Sequence, residues 1–197
     1  ELFQKTHHLP RDVPTNWYIP PREPSVKKSL SAIMTSSRPH LDGIFDDECW
    51  KSADAEVLQQ GSGRVYAEGA SFIKMAYDKE YLYIAASLVQ HPAVILQGTQ
   101  LAGRHHDAKL TGHDRITFAL DIDRESEFYY ELTIDERGWT SESLGGFPVW
   151  NPNMFIATHH ERGHWRIEAA IPLKELAPPA KVPGHSWGLA IRRTLPM

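Results

Sequence analysis

From Leu30 onward, apolar side chains recur at every second position in short runs punctuated by Gly, Asp and Pro, the pattern of half-buried strands rather than of helices. Residues 72–77, the polar step Asp78-Lys79-Glu80 and residues 81–88 read as a hairpin, with Leu82, Ile84, Ala86 and Leu88 on one face of its second strand. Ile116, Phe118, Leu120 and Ile122 alternate with Arg115, Thr117, Ala119 and Asp121. Tyr130, Leu132 and Ile134 alternate in the same way with Tyr129, Glu131 and Thr133, and Asp135-Glu136-Arg137-Gly138 turns the chain back. Residues 155–160 and 164–171 form a third hairpin, and Trp187 to Arg193 is a last strand with Arg192 on its outer face. These periods predict an all-β fold, a two-sheet antiparallel β-sandwich of jelly-roll-like form, from about Leu30 to Arg193.

One segment departs from period two. Leu41-Asp42-Gly43 reads as a strand end and tight turn, and Asp46 is placed to cap a short helix over 46–53 that carries Trp50 into the core. Residues 1–28 contain Pro10, Pro14, Pro20, Pro21 and Pro24, which predicts an extended arm or linker on which Trp17, Tyr18 and Ile19 can still pack. The sandwich domain then occupies 29–197. The N-terminus, Glu1-Leu2-Phe3, has neither an initiator Met nor a signal-peptide core and reads as a trimmed chain.

Composition narrows the function classes. The 21 Lys and Arg residues against 25 Asp and Glu give a net charge of -4, so the electrostatic footprint of a nucleic-acid binder is absent. No apolar run approaches the roughly 18 residues of a membrane-spanning helix, so no membrane insertion is expected. The single Cys49 excludes an intrachain disulfide framework and any multi-cysteine metal site. There is no Gly-x-Ser-x-Gly elbow, His-Glu-x-x-His pair or phosphate loop, and Asp121 and Asp123 end a strand at a turn. Catalysis is not expected.

Candidate chemistry lies in loops and on the polar sheet face. More than twenty residues separate Gln90 from His113, with His105, His106 and His113 among them, a length typical of functional loops. Trp139, Phe147 and Trp150 surround a Gly-rich segment, and Trp150, before the Asn151-Pro152-Asn153 turn, is the aromatic expected to be exposed for sugar stacking. Asp42, Asp46 and Asp47 offer clustered oxygens for Ca²⁺ as an alternative to turn and cap roles. His159 and His160 point to opposite faces of one strand and cannot easily share an ion.

The order of segments resembles carbohydrate-binding module family 9 and its sandwich relatives. The resemblance rests on Leu41-Asp42-Gly43 with Trp50, residues 76–83, Asp114-Arg115-Ile116-Thr117-Phe118-Ala119-Leu120-Asp121, residues 165–172 and Trp187-Gly188-Leu189-Ala190-Ile191-Arg192, and spans about 30–195. It implies an extracytoplasmic, noncatalytic saccharide-binding module, commonly part of a larger secreted bacterial polysaccharide-processing protein, in a family where calcium occurs. The family's site residues carry over poorly. Its first clamp tryptophan falls near Thr111, its Glu at Thr117, its Arg at Glu131 and its Gln at Arg192; the second tryptophan would lie beyond Met197, making the domain truncated at its C-terminus.

A different polar set is therefore expected on that surface: Glu131 and Arg192 with Thr117, flanked by Tyr129 and Glu168, and bordered by His113 and Trp150. Glu131 and Arg192 read either as a cross-strand ion pair or as a fork for a ligand. Two other function classes stay open. Some relatives of this sandwich hold haem between a Met and a His or Lys, which singles out Met75, Met154 and the histidine-rich loop; a structural docking domain of a cell-surface protein is the other.

Overall fold

A computed structural model describes residues 28–58, 70–91, 94, 105–125, 127–161, 163–177 and 184–196. The arm expected over 1–28, apart from Lys28, and most of the loop between Gln90 and His105 lie outside the described residues.

Among the described residues, ten strands form two sheets. The larger has the order β1 (Ile33–Met34), β3 (Phe72–Tyr77), β4 (Tyr81–Val89), β9 (His164–Pro172), β8 (Phe155–Glu161), with β2 (Glu56–Val57) also on β3. The smaller has the order β10 (Gly188–Thr194), β5 (Arg115–Asp121), β6 (Tyr130–Asp135), β7 (Thr140–Leu144). All pairings are antiparallel except the two-residue contact of β1 with β3. The sandwich and all its long strands match the period-two reading; β1 and β2, only two residues each, are too short to leave a period.

The inward positions pack as the alternation requires. Ile73, Ile84, Leu88, Ile116, Phe118, Leu132, Ile134, Trp165, Ile167 and Ile171 are almost fully buried between the sheets. The larger sheet is buried on its other face too. There Ala76, Tyr83, Ala85 and Ala170 meet Cys49, Trp50 and Ala53, so the segment that begins with the Asp-Gly turn lies as a cover over that sheet. Its helix, α1 (Glu48–Ser52), is shorter than the expected 46–53: Asp47, not Asp46, is the N-cap, and its carboxylate accepts from His40 N at 3.1 Å instead of from the helix.

Glu168 clamps this cover. Its carboxylate, fully buried on β9, accepts from Asp42 N (2.9 Å), Gly43 N (2.6 Å) and Trp50 Nε1 (2.5 Å). Burial pushes its carboxyl up from the ordinary value, and the three donors offset this only in part. Gly43 is required there: its φ is +79°, and a Cβ would stand 2.4 Å from that of His159. Glu168 therefore faces away from the surface on which it was expected to flank Glu131 and Arg192, because β9 belongs to the other sheet.

A second buried carboxylate ties the sheets together. Asp114, fully buried just before β5, accepts from Trp165 Nε1 on β9 (2.9 Å) and from Arg193 Nε and Nη2 on β10 (3.0 and 2.5 Å), while Arg193 Nη2 also donates to Val89 O on β4 (2.7 Å). Removing one partner of such a pair leaves a charge and several donors stranded in the interior. Asp114→Ala is expected to cost about 3–5 kcal/mol in urea-induced unfolding; a loss below about 1 kcal/mol would show that Arg193 and Trp165 do not depend on it.

Asp78, in the β3–β4 turn, gives the pH response. Burial raises its carboxyl, but the amides of Glu80 and Tyr81, the Tyr83 hydroxyl and Arg38 outweigh this and hold it below its ordinary 3.8. The folded carboxyl then binds fewer protons than the unfolded one, so its contribution is full above about pH 3.8 and is lost as pH falls through the lower folded value. Asp78→Asn should flatten the acid limb of stability against pH; an unchanged limb would contradict this.

Candidate functional site

The Asp114–Arg193 pair also sets the polar surface. With Arg193 turned inward, period two sends Arg192 to the outer face of the smaller sheet. On that face Arg192 pairs with Thr117, which pairs with Thr133; the next row is Ala190, Ala119, Glu131 and Ser143. The row beyond begins with Gly188 opposite Asp121. Small residues in the middle of rows flanked by longer ones leave a depression. It is an open groove of about 540 Å³, lined by Thr117, Ala119, Asp121, Tyr129, Glu131 and residues 188–192.

Three of the five expected ligand-binding residues, Glu131, Arg192 and Thr117, meet in this groove. The expected ion pair does not form. Glu131 and Arg192 sit in different rows on strands either side of β5, and neither side chain makes a hydrogen bond or ion pair with another described residue, whereas the Thr117 and Thr133 hydroxyls bond to each other at 2.9 Å. Tyr129, 38% exposed, supplies an accessible ring at one end. Asp121 is partly committed, since it accepts from Arg124 N at 2.7 Å and closes the turn after β5.

The other two lie elsewhere. Trp150 is only 7% exposed: it packs in the inter-sheet core, edge-on to Tyr130 with ring centroids 4.9 Å apart, and donates from Nε1 to Glu175 O at 3.0 Å. The turn that follows it suggested exposure, but an indole in contact with both sheets is held by packing. His113 is half-buried at the far end of β5 from Asp121, with Nδ1 2.9 Å from Glu136 Oε1. Of the loop around it, residues 105–108 pair with β7, as Ala108 N donates to Thr140 O and Thr140 N to His105 O, and no described part of the loop lines the groove. His105 stacks on Trp139, which Arg137 covers from 3.8 Å.

Asp42, Asp46 and Asp47 do not converge. Asp42 accepts from Ile44 N, which with the facing His40 holds its carboxyl low, Asp47 accepts from His40 N, and the three do not form a group of close ligand atoms. Among the described residues the group that does is His113, Asp135 and Glu136, whose ligating atoms lie within 4.8 Å of one another. The sequence offered Asp135-Glu136 only as a turn, because its partner His113 is brought in by the β5–β6 register.

A separate cleft of about 740 Å³ opens at the end of the sandwich, between β3 and β10. Leu30, Leu58, Met75, Leu120 and Trp187 give it an apolar lining, with Lys28 and His185 at polar positions. Met154 packs in the core instead. Among the described residues, no helix is long and apolar enough to cross a membrane.

Neither a protein-family model nor a curated protein matches the sequence. The fold, however, is that of solved structures of carbohydrate-binding module family 9. One from Caldicellulosiruptor kristjanssonii, in complex with cellotriose, superposes with a TM-score of 0.54 and 14% identity over 84% of this chain and 77% of that one. The same organism's module in complex with glucose gives 0.55 and 15% over 84% and 79%.

Since Trp150 belongs to the core, Trp150→Ala should lower unfolding stability by about 3–5 kcal/mol. Chemical denaturation checks this; a change under about 1 kcal/mol would mean that the indole is not packed between the sheets.

Proposed function

We propose that this chain is a noncatalytic carbohydrate-binding module and that it takes saccharide in the groove on the outer face of β10, β5 and β6. The observation that carries the reading is the pair of uncommitted groups there. Arg192 presents a planar set of donors, Glu131 presents acceptors, and neither is occupied by another described residue. A sugar ring offers both complements: vicinal hydroxyls that donate and accept, and an apolar face suited to Tyr129. The family 9 fold supports the reading, since the modules it resembles were solved with cellotriose and glucose.

Among the described residues no tryptophan lines the groove, so the aromatic clamp of the characterised family members has no counterpart among them. Binding then rests on hydrogen bonds at a wet surface and is expected to be weak, with Kd on the order of 10⁻⁴–10⁻³ M. A module of this kind serves by holding a larger secreted polysaccharide-processing protein near its polymer, where many weak contacts act together. That role implies an extracytoplasmic location.

The test is calorimetric titration with glucose, cellotriose and longer plant, algal and bacterial oligosaccharides. A saturable response in the wild type that weakens at least tenfold, about 1.4 kcal/mol, in both Glu131→Gln and Arg192→Ala is the expected result. Both variants should stay within about 0.5 kcal/mol of wild-type stability, because the side chains have no partner among the described residues to lose. Undiminished affinity in both would reject the groove.

A second reading has one specific observation in its favour: Met75 and His185, with Lys28, line the same apolar cleft, the residue types that would hold a haem iron from two sides. Haem there would supply one-electron transfer. A Soret band in the purified protein, lost in Met75→Leu, supports this reading; a colourless protein that stays so on adding haem rejects it.

A further inference from the structure

We propose that His113, Asp135 and Glu136 form a binding site for one divalent transition-metal ion, at the opposite end of β5 from the saccharide groove. Two observations carry this independently of each other. The first is geometric: ligating atoms of the three residues lie within 4.8 Å of one another, and His113 Nδ1 stands 2.9 Å from Glu136 Oε1. Ligand atoms bound at about 2.0–2.3 Å to a common ion stand roughly 3–4 Å apart, so little movement brings this set around one centre. The second is an orphan: Glu136 is 1% exposed, and its second carboxylate oxygen, Oε2, has no hydrogen-bond partner at all. A buried carboxylate oxygen left without a donor is costly, and an ion between the three residues satisfies it.

The surrounding charges single out Glu136. Asp114 is neutralised by Arg193 and Asp135 by Arg137, whose Nε and Nη2 lie 2.9 and 2.5 Å from Asp135 Oδ2. Among the described residues, the Glu136 carboxylate is paired with the His113 imidazole and with no arginine. A cation held by both oxygens of Glu136 and by His113, with Asp135 as the third and weaker ligand, balances a buried carboxylate that neither arginine serves and whose Oε2 lacks a donor. The backbone keeps the set in place: Glu136 N donates to Asp114 O at 3.0 Å, and His160 Nε2 lies 2.6 Å from Glu136 O. One imidazole among the ligands favours Zn²⁺, Co²⁺ or Mn²⁺ over Ca²⁺, which prefers oxygen alone.

Titration of the chelator-treated full chain with Zn²⁺ alone, followed by calorimetry, tests the site. The expected result is uptake of one ion per chain, weakened at least about tenfold in Glu136→Gln and in His113→Gln and unchanged in Arg192→Ala. A second measurement needs no variant: Mn²⁺ added to the wild-type protein should broaden the amide resonances of His113, Asp135 and Glu136 first. No Zn²⁺ uptake by the folded chain, equal uptake in both site variants, or broadening centred on other histidines would overturn the assignment.

Discussion

The buried carboxylate of Asp114 is the interaction on which the rest of this structure depends. It sits before the first strand of the smaller sheet yet binds the Trp165 indole of the larger sheet and the Arg193 guanidinium of an edge strand. A charge in that position is tolerable only with its partners complete, so it fixes both the separation of the sheets and the register of β10. Because successive side chains on a strand alternate, an inward Arg193 makes Arg192 an outward residue. The polar groove thus follows from a packing requirement on the other side of the same strand.

The second determinant is the inequality of the two outer faces. The larger sheet carries Glu168, Tyr83 and several alanines outward, and the Asp42-to-Ala53 segment covers them, with Trp50 as its anchor. Among the described residues no such cover lies over β10, β5 and β6, where the outward residues are Thr117, Ala119, Glu131 and Arg192. One face is thereby spent on stability while the other stays free to meet a ligand. The same division explains why a glutamate on β9 is saturated with donors whereas one on β6 has none among the described residues.

The fold was legible in the sequence because period two is a local property: each inward run, from Leu82 to Leu88 or Ile116 to Ile122, declares its own buried face. Which sheet a strand joins is not local. Glu168 looked like a neighbour of Glu131 because both are outward, and only the β4–β9 pairing shows that they are outward on opposite sides of the molecule. Exposure of large side chains was the weakest inference. Trp150 precedes a polar turn, yet its indole reaches the core, and the sequence carries no mark of that contact. The His113, Asp135 and Glu136 cluster was hidden for a similar reason, His113 and Glu136 being brought together across 23 residues by strand register; the signal available was an uncompensated acid in a turn that also needed Asp135 for Arg137.

Amide chemical-shift mapping during a cellotriose titration tests most directly whether the outer face of β10, β5 and β6 is where saccharide binds. Shifts should concentrate on Thr117, Ala119, Glu131 and residues 188–192, with little change at Trp150, Met75 or His185. Saturable shifts centred on the apolar cleft or on the Asp42-to-Ala53 cover, with the groove silent, would contradict it.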